Sequence, residues 1–225
     1  MNTIVLTGIS RGLGKALHDF LCSDFPEDKK IFISRGISDI NKSGLIDYLD
    51  IDLSDKEIQC DSIDISNESN KVVFVNNASV IEPIRKVLDV SFNEVEKAMD
   101  VNFWAPLQLA RYLAAESKRI KADFYIVNIS TGAAVRPIQG WLAYCVSKTA
   151  IKMAIDVLVE ENKHIQVVHF DPGVMDTGMQ TVIRSSAEDD MCDVETFKAF
   201  KTNNKLRDPS EVATEIIGII KELEQ

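Results

Sequence analysis

Tyr144 and Lys148 stand four residues apart in "YCVSK", a spacing that puts both side chains on one helix face, one turn apart. The pair sets an acid–base group beside a fixed positive charge. A free phenol, with a pKa near 10, is a poor proton carrier at neutral pH, and a neighbouring ammonium favours its ionised form. Two hydroxyls, Ser130 and Thr131, lie upstream in "NIST", and either can donate to or accept from a reacting oxygen. Such a helix pair also arises by chance on solvated surfaces, so its meaning depends on what else the chain carries.

A second constellation opens the chain. In "VLTGISRGLG" Gly8, Gly12 and Gly14 give the spacing G-x-x-x-G-x-G, directly after the first apolar run and at the start of a helical pattern. Glycines there let the backbone turn sharply and approach a pyrophosphate, which exposed N–H groups at the helix start would meet. Tight turns need glycine in any case; the placement is what makes this one a nucleotide site, with Thr7, Gly8, Ser10, Arg11, Gly12, Leu13 and Gly14 as contacts. The second strand ends in Ser34-Arg35, with no acid until Asp39, whereas an NAD site usually carries an acid there. Arg35, and Arg11 reaching to the same place, suit the 2′-phosphate of NADP(H).

The elements that must position these residues alternate. Apolar, β-rich runs at 4–7, 31–34, 46–53, 72–75, 124–129 and 165–170 read as six strands, several apolar throughout, as in a parallel sheet buried on both faces. Helical periodicity covers 12–22, 92–119 and 142–160, while 56–69 is an irregular turn or short helix. A last helix is signalled by Asp208 as N-cap, Pro209 at its first position and Glu211 closing a capping box. The pattern predicts a single-domain, doubly wound α/β sheet of Rossmann type with helices on both faces.

Composition excludes several classes. At 225 residues, 45% hydrophobic and 27% charged, the chain is one ordinary globular domain. No apolar run approaches the roughly 18 residues of a membrane span, and "MNTIVLTG" lacks a secretory layout. A formal net charge of −10 argues against broad nucleic-acid binding. Cys22, Cys60, Cys145 and Cys192 are scattered, with no C-x-x-C; they read as free thiols of a cytoplasmic protein, with no metal site.

Taken in order, "TGISRGLG", "NNAS" (76–79), "VNFWAP", "NIST", "YCVSK" and "PGVMDT" (172–177) resemble the short-chain dehydrogenase/reductase family from Met1 to about Thr177 and in the final helix. "GWLAYCVSK" with "PGVMDTGMQ" is most similar to the sepiapterin reductase and benzil reductase branch. The resemblance implies an NADPH-dependent reductase of small ketones, diketones or aldehydes. Tyr144 would donate the proton, Lys148 would hold the nicotinamide ribose, and Asn102 would be the fourth member of the site. The family's carbonyl-polarising serine usually stands thirteen residues before the tyrosine, which here is Thr131; Ser130, pointing to the opposite side if the strand continues, would line the substrate pocket with Gly173 and Met179. Asp52 and Leu53 would meet the adenine and Asn77 and Ala78 the ribose, although Ser79 replaces the family's common glycine. Pro172, Gly173, Val174, Met175 and Thr177 would fix the carboxamide.

Pro106 gives Asn102 a mechanical reason for its place. Proline has no N–H for the carbonyl four residues back, and that carbonyl belongs to Asn102, so a helix broken there could offer the oxygen to a water leading towards Lys148. The segment 179–205 is expected to be a substrate lid whose acids are solvated, and His18, His164 and His169 to be packing or surface residues. Family members pair through the helices of Asn102 and Tyr144, so a homodimer or homotetramer is expected. Sepiapterin reductases grip the pterin with an aspartate in a C-terminal tail; here the sequence stops after its helix, which weighs against a pterin. Two rivals remain: a 3-oxoacyl thioester reductase of the same fold, and a non-catalytic NADP(H) sensor.

Overall fold

Each expected strand forms in the computed structural model, which describes residues 1–37 and 44–224; Asp39 lies outside the described residues. β1 (Thr3–Thr7), β2 (Lys29–Ser34), β3 (Ile46–Asp50), β4 (Lys71–Asn76), β5 (Asp123–Ile129) and β6 (Ile165–Phe170) build one sheet in the order β3-β2-β1-β4-β5-β6. Every pairing is parallel. The order reverses between β1 and β4, and such a switch point opens a crevice at the carboxyl ends of the strands.

Alternation along β1 divides the core. Val5 joins Ile31, Ile33, Phe74, Leu109 and Ile151 on one face. Ile4 and Leu6 join Leu17, Leu21, Phe32, Val75 and Ile216 on the other. The first face is covered by α3 (Ala105–Ile120) and α4 (Leu142–Glu161), the second by α1 (Gly12–Asp24) and α7 (Pro209–Glu224). Both layers are therefore anchored by apolar residues, which leaves the strand ends to carry polar ones.

Three boundaries differ from the sequence reading for physical reasons. β2 begins two residues early, at Lys29 and Lys30, whose charges hide their strand character. Lys29 is neutralised by Asp47 at 3.4 Å and Asp64 at 3.0 Å, and buried Lys30 gives its ammonium to the Phe25 carbonyl at 2.7 Å. β3 stops at Asp50, because Ile51–Leu53 leave the sheet to line the crevice. The long helix 92–119 is not broken at Asn102 but widened: α2 (Phe92–Met99), capped by Ser91 and Glu94, passes through a π turn at Asp100–Trp104 before α3 begins. The segment before α7 folds as α5 (Gly178–Arg184) and α6 (Val194–Thr202).

Candidate active site

A cleft of about 510 Å³ runs along the carboxyl ends of β1, β2, β4 and β5, from Arg35 and Asp52 at one end to Tyr144 at the other. Every sequence-predicted site residue lines it except Thr7 and Asn102. Thr7 is turned inward: its Oγ1 accepts the backbone N–H groups of Asn77 and Ala78, each at 3.1 Å, strapping β1 to the loop after β4. It shapes the cleft wall from behind and is not a lining contact.

The glycine turn is pulled close to that loop. A Cβ at Gly14 would lie 1.9 Å from the Gly8 carbonyl oxygen and 2.6 Å from Asn77 Nδ2, so no larger residue fits without moving backbone. The Asn77 amide completes the tie by donating to the carbonyls of Thr7 and Gly8 at 2.9 and 3.1 Å. No acidic residue occupies the first turn of α1, and its N–H groups open into the cleft. A turn this tight, continuous with a long crevice, fits an extended dinucleotide. Arg35 stands near Asp52, Nη1 to Oδ2 3.7 Å. Arg11 departs from expectation: its Nη1 lies 3.5 Å from where a Cβ on Gly178 would sit, so it packs over the start of α5.

At the other end, α4 presents Tyr144 and Lys148, 7% and 3% exposed. Lys148 Nζ donates to the Ile129 carbonyl at 2.9 Å and lies 5.9 Å from the centre of the Tyr144 ring. Burial pushes the Lys148 pKa down to about 8. The same burial pushes Tyr144 up to about 12, opposed by hydrogen bonding from Thr131 and Ser79 and reinforced by the Asp171 charge. The sequence reading expects the nearby ammonium to lower Tyr144; in the structure burial dominates and raises it instead.

Thr131 lines the cleft together with the tyrosine, and its Oγ1 accepts the Ala133 N–H at 3.2 Å. β5 ends at Ile129, strand alternation stops, and Ser130 lines the cleft as well. The buried Asn102 side chain is a strut behind it. Its Oδ1 accepts from Val80 N at 2.9 Å and Ser79 Oγ at 3.0 Å, while Nδ2 donates to the Val80 carbonyl at 2.8 Å and Ser147 Oγ at 3.1 Å.

The pocket beyond Tyr144 is apolar. Trp141 meets Tyr144 edge-on with ring centres 5.7 Å apart and Phe197 at 5.5 Å, and Ile81 and Ile183 close the cluster. The sequence reading omits these residues. Trp141, three before Tyr144, carried the signal of shared helix face; Ile183 and Phe197 carried none, since they reach the pocket only through tertiary packing. Segment 179–205 is docked over this end. Trp141 Nε1 donates to Met191 Sδ at 3.2 Å, and Lys201 pairs with Asp176.

His169 also differs from expectation, because it has two partners. Asn76 Nδ2 donates to Asn128 Oδ1 at 2.8 Å, Asn128 Nδ2 meets His169 Nδ1 at 3.0 Å, and His169 Nε2 meets Asp156 Oδ1 at 2.9 Å. The chain of bonds ties β4, β5 and β6 to the helix that carries Tyr144.

The comparisons agree with this architecture. The family model for short chain dehydrogenase matches residues 2–188, and the chain belongs to that family; it is an oxidoreductase with a single α/β domain, and membership implies a nicotinamide cofactor. A benzil reductase ((S)-benzoin forming) of Bacillus subtilis (strain 168) is 28% identical over 232 residues, covering 98% of this chain and 94% of that one. A sepiapterin reductase of Xenopus tropicalis is 29% identical over 207 residues, covering 82% and 78%. Among solved structures, the KRED1-Pglu enzyme superposes with a TM-score of 0.82 at 24% identity, covering 95% and 92%. Among the described residues, no helix is long and apolar enough to cross a membrane.

Proposed function

We propose that this protein is an NADPH-dependent carbonyl reductase acting on small ketones, diketones or aldehydes. The carrying observation is the placement of Tyr144: a buried phenol that holds its proton at neutral pH, where the dinucleotide-shaped cleft meets an apolar pocket. Its likeness to benzil reductases favours aromatic diketones as test substrates. Bound in this cleft, the reduced nicotinamide supplies the hydride.

The chain's own residues do the rest. The Trp141–Phe197–Ile183 pocket excludes water and holds the apolar part of the substrate. Thr131 donates to the carbonyl oxygen, and Tyr144 gives that oxygen its proton. The Lys148 ammonium stabilises the resulting phenolate, and the Asn102 carbonyl, to which Pro106 cannot donate, offers a water route for reprotonation. Arg35 reads the 2′-phosphate, with Arg11 serving the phosphates from the lid side. The segment 179–205 acts as the lid, and a reducing cytosol suits its four free thiols.

NADPH consumption with an aromatic 1,2-diketone, with NADH as control, tests the reading. Turnover with NADPH alone supports it; saturable NADPH binding with no turnover of any small carbonyl compound would leave the sensor reading in its place. Within an active enzyme, Thr131→Ala is expected to lower kcat about 10²-fold, and Ser130→Ala far less; the reverse ranking reassigns the hydroxyl.

Self-association through α4 and the continuous helix of α2, the π turn and α3 belongs to the same reading. Val146, Met153 and Val157 form one exposed stripe on α4, Met153 62% exposed, with Trp104 and the 92% exposed Phe92 on the neighbouring helix. Sedimentation at micromolar concentration should show a dimer or tetramer, and Met153→Glu should dissociate it. A monomeric wild type would end this part of the proposal.

A further inference from the structure

One amide stands beside the apolar side chains of the pocket beyond Tyr144. Gln180, the third residue of α5, lines the cleft and is 6% exposed. Its Oε1 is nevertheless buried with no hydrogen-bond partner among the described residues. Ile183, three residues on, lines the same cleft and packs in one cluster with Trp141 and Tyr144, so the two share a face of the helix. Arg184, one turn after Gln180, does not serve the amide. It gives Nη2 to Thr181 Oγ1 at 3.2 Å, and its Nη1 makes no bond. Burying an unpaired amide is destabilising, and a leucine there would line the pocket without that cost. Turning the amide over changes nothing, because Nε2 would then be the buried group in need of a partner.

We propose that Gln180 is a specificity residue of the substrate pocket, selecting carbonyl compounds that bring a hydroxyl near the carbonyl, as an α-hydroxy ketone does. The inference rests on the reductase reading given above and narrows its substrate class. Gln180 and Tyr144 line one cleft, and Ile183 joins the helix of the first to the cluster of the second, so one small molecule can meet both. A hydroxyl suits the amide because it both donates and accepts, and it pairs with whichever end faces the pocket. The second carbonyl of a 1,2-diketone pairs with the Nε2 end alone. A ketone with no second oxygen pairs with neither. As it fills the pocket it expels water and leaves the amide stranded, and a site that pairs a buried polar group with its substrate discriminates against analogues that leave the group unpaired.

The test measures kcat/KM for 2-hydroxyacetophenone and acetophenone, which differ by one hydroxyl, in wild type, Gln180→Leu and Gln180→Met. Comparing the ratio across variants cancels the intrinsic reactivities of the two ketones. The preference for the hydroxy ketone should fall about tenfold or more in Gln180→Leu, with acetophenone gaining while the hydroxy ketone loses. Gln180→Met, closer to glutamine in shape, should give the same crossing. Both variants should melt no lower than wild type, since each removes an unpaired buried amide. An unchanged ratio overturns the assignment. Equal losses on both ketones with a lower melting temperature also overturn it, because they mark an amide that is paired inside the protein. If wild type reduces neither ketone, the reductase reading fails, and titration calorimetry of the two ketones into the NADPH complex decides the role of Gln180. Tighter binding of the hydroxy ketone to wild type, lost in Gln180→Leu, keeps it as the reader of the hydroxyl; no difference ends it.

Discussion

Tyr144→Phe is expected to lower carbonyl turnover by about 10²–10⁴-fold, the usual worth of a positioned proton donor. Cofactor binding should be retained, because the ring and its edge-on packing against Trp141 survive the substitution. The size of the effect follows from burial. With a pKa raised to about 12, the phenol keeps its proton throughout the neutral range, so a donor is always present for reduction. Phenylalanine removes that proton and leaves Thr131 to polarise the carbonyl without completing the transfer. Single-turnover mixing with NADPH would separate the two steps. A Tyr144→Phe enzyme that binds NADPH normally and still turns over within a fewfold of wild type would show that the proton comes from elsewhere.

Lys148→Met should be far less active and more stable. Losing the ammonium beside the phenolate should cost about 10²–10³-fold in turnover. The stability gain comes from the same burial that depresses the lysine pKa to about 8 from its ordinary 10.5. At neutral pH that shift corresponds to a penalty on the order of 3 kcal/mol. Removing the partner of the Ile129 carbonyl returns about 1–2 kcal/mol of it, so a net gain of about 1–2 kcal/mol remains. The pH dependence has a definite sign. Below about pH 8 lysine is protonated in both folded and unfolded chains, and the full penalty is present. Between about 8 and 10.5 the unfolded chain binds a proton that the folded one has released, so wild type gains stability as the pH rises. The advantage of Lys148→Met, measured by denaturant melts, should therefore be greatest at neutral pH and shrink through that window. A variant less stable than wild type at neutral pH contradicts the argument.

What could be read from the sequence was whatever is set by neighbours along the chain. The glycine turn, Tyr144 with Lys148, and Thr131 by its distance from Tyr144 are local spacings, and each falls at the cleft. The alternating strands and helices gave the sheet order its class because buried parallel strands are apolar throughout. What failed depends on partners far away in sequence. Lys29 and Lys30 belong to a strand only because Asp47, Asp64 and the Phe25 carbonyl take up their charges. His169 looked idle until β5 and α4 brought Asn128 and Asp156 to its two nitrogens. The expected reach of Arg11 towards the adenosine side was a guess about side-chain direction, which spacing does not encode.

The π turn at Asp100–Trp104 has a consequence for helix phase. An α-helix returns to the same bearing after seven residues, two turns on, so an unbroken helix would carry Asn102 almost directly in line with Leu109. That line faces the sheet, and Leu109 is fully buried in the apolar core there. A polar amide on that bearing would have met hydrocarbon. The wider turn inserts a shim into the rotation and swings Asn102 towards the Ser79–Val80 loop and Ser147, where both polar atoms of its side chain have partners. One residue of extra winding thus moves a side chain from one compartment of the molecule to another without an intervening loop.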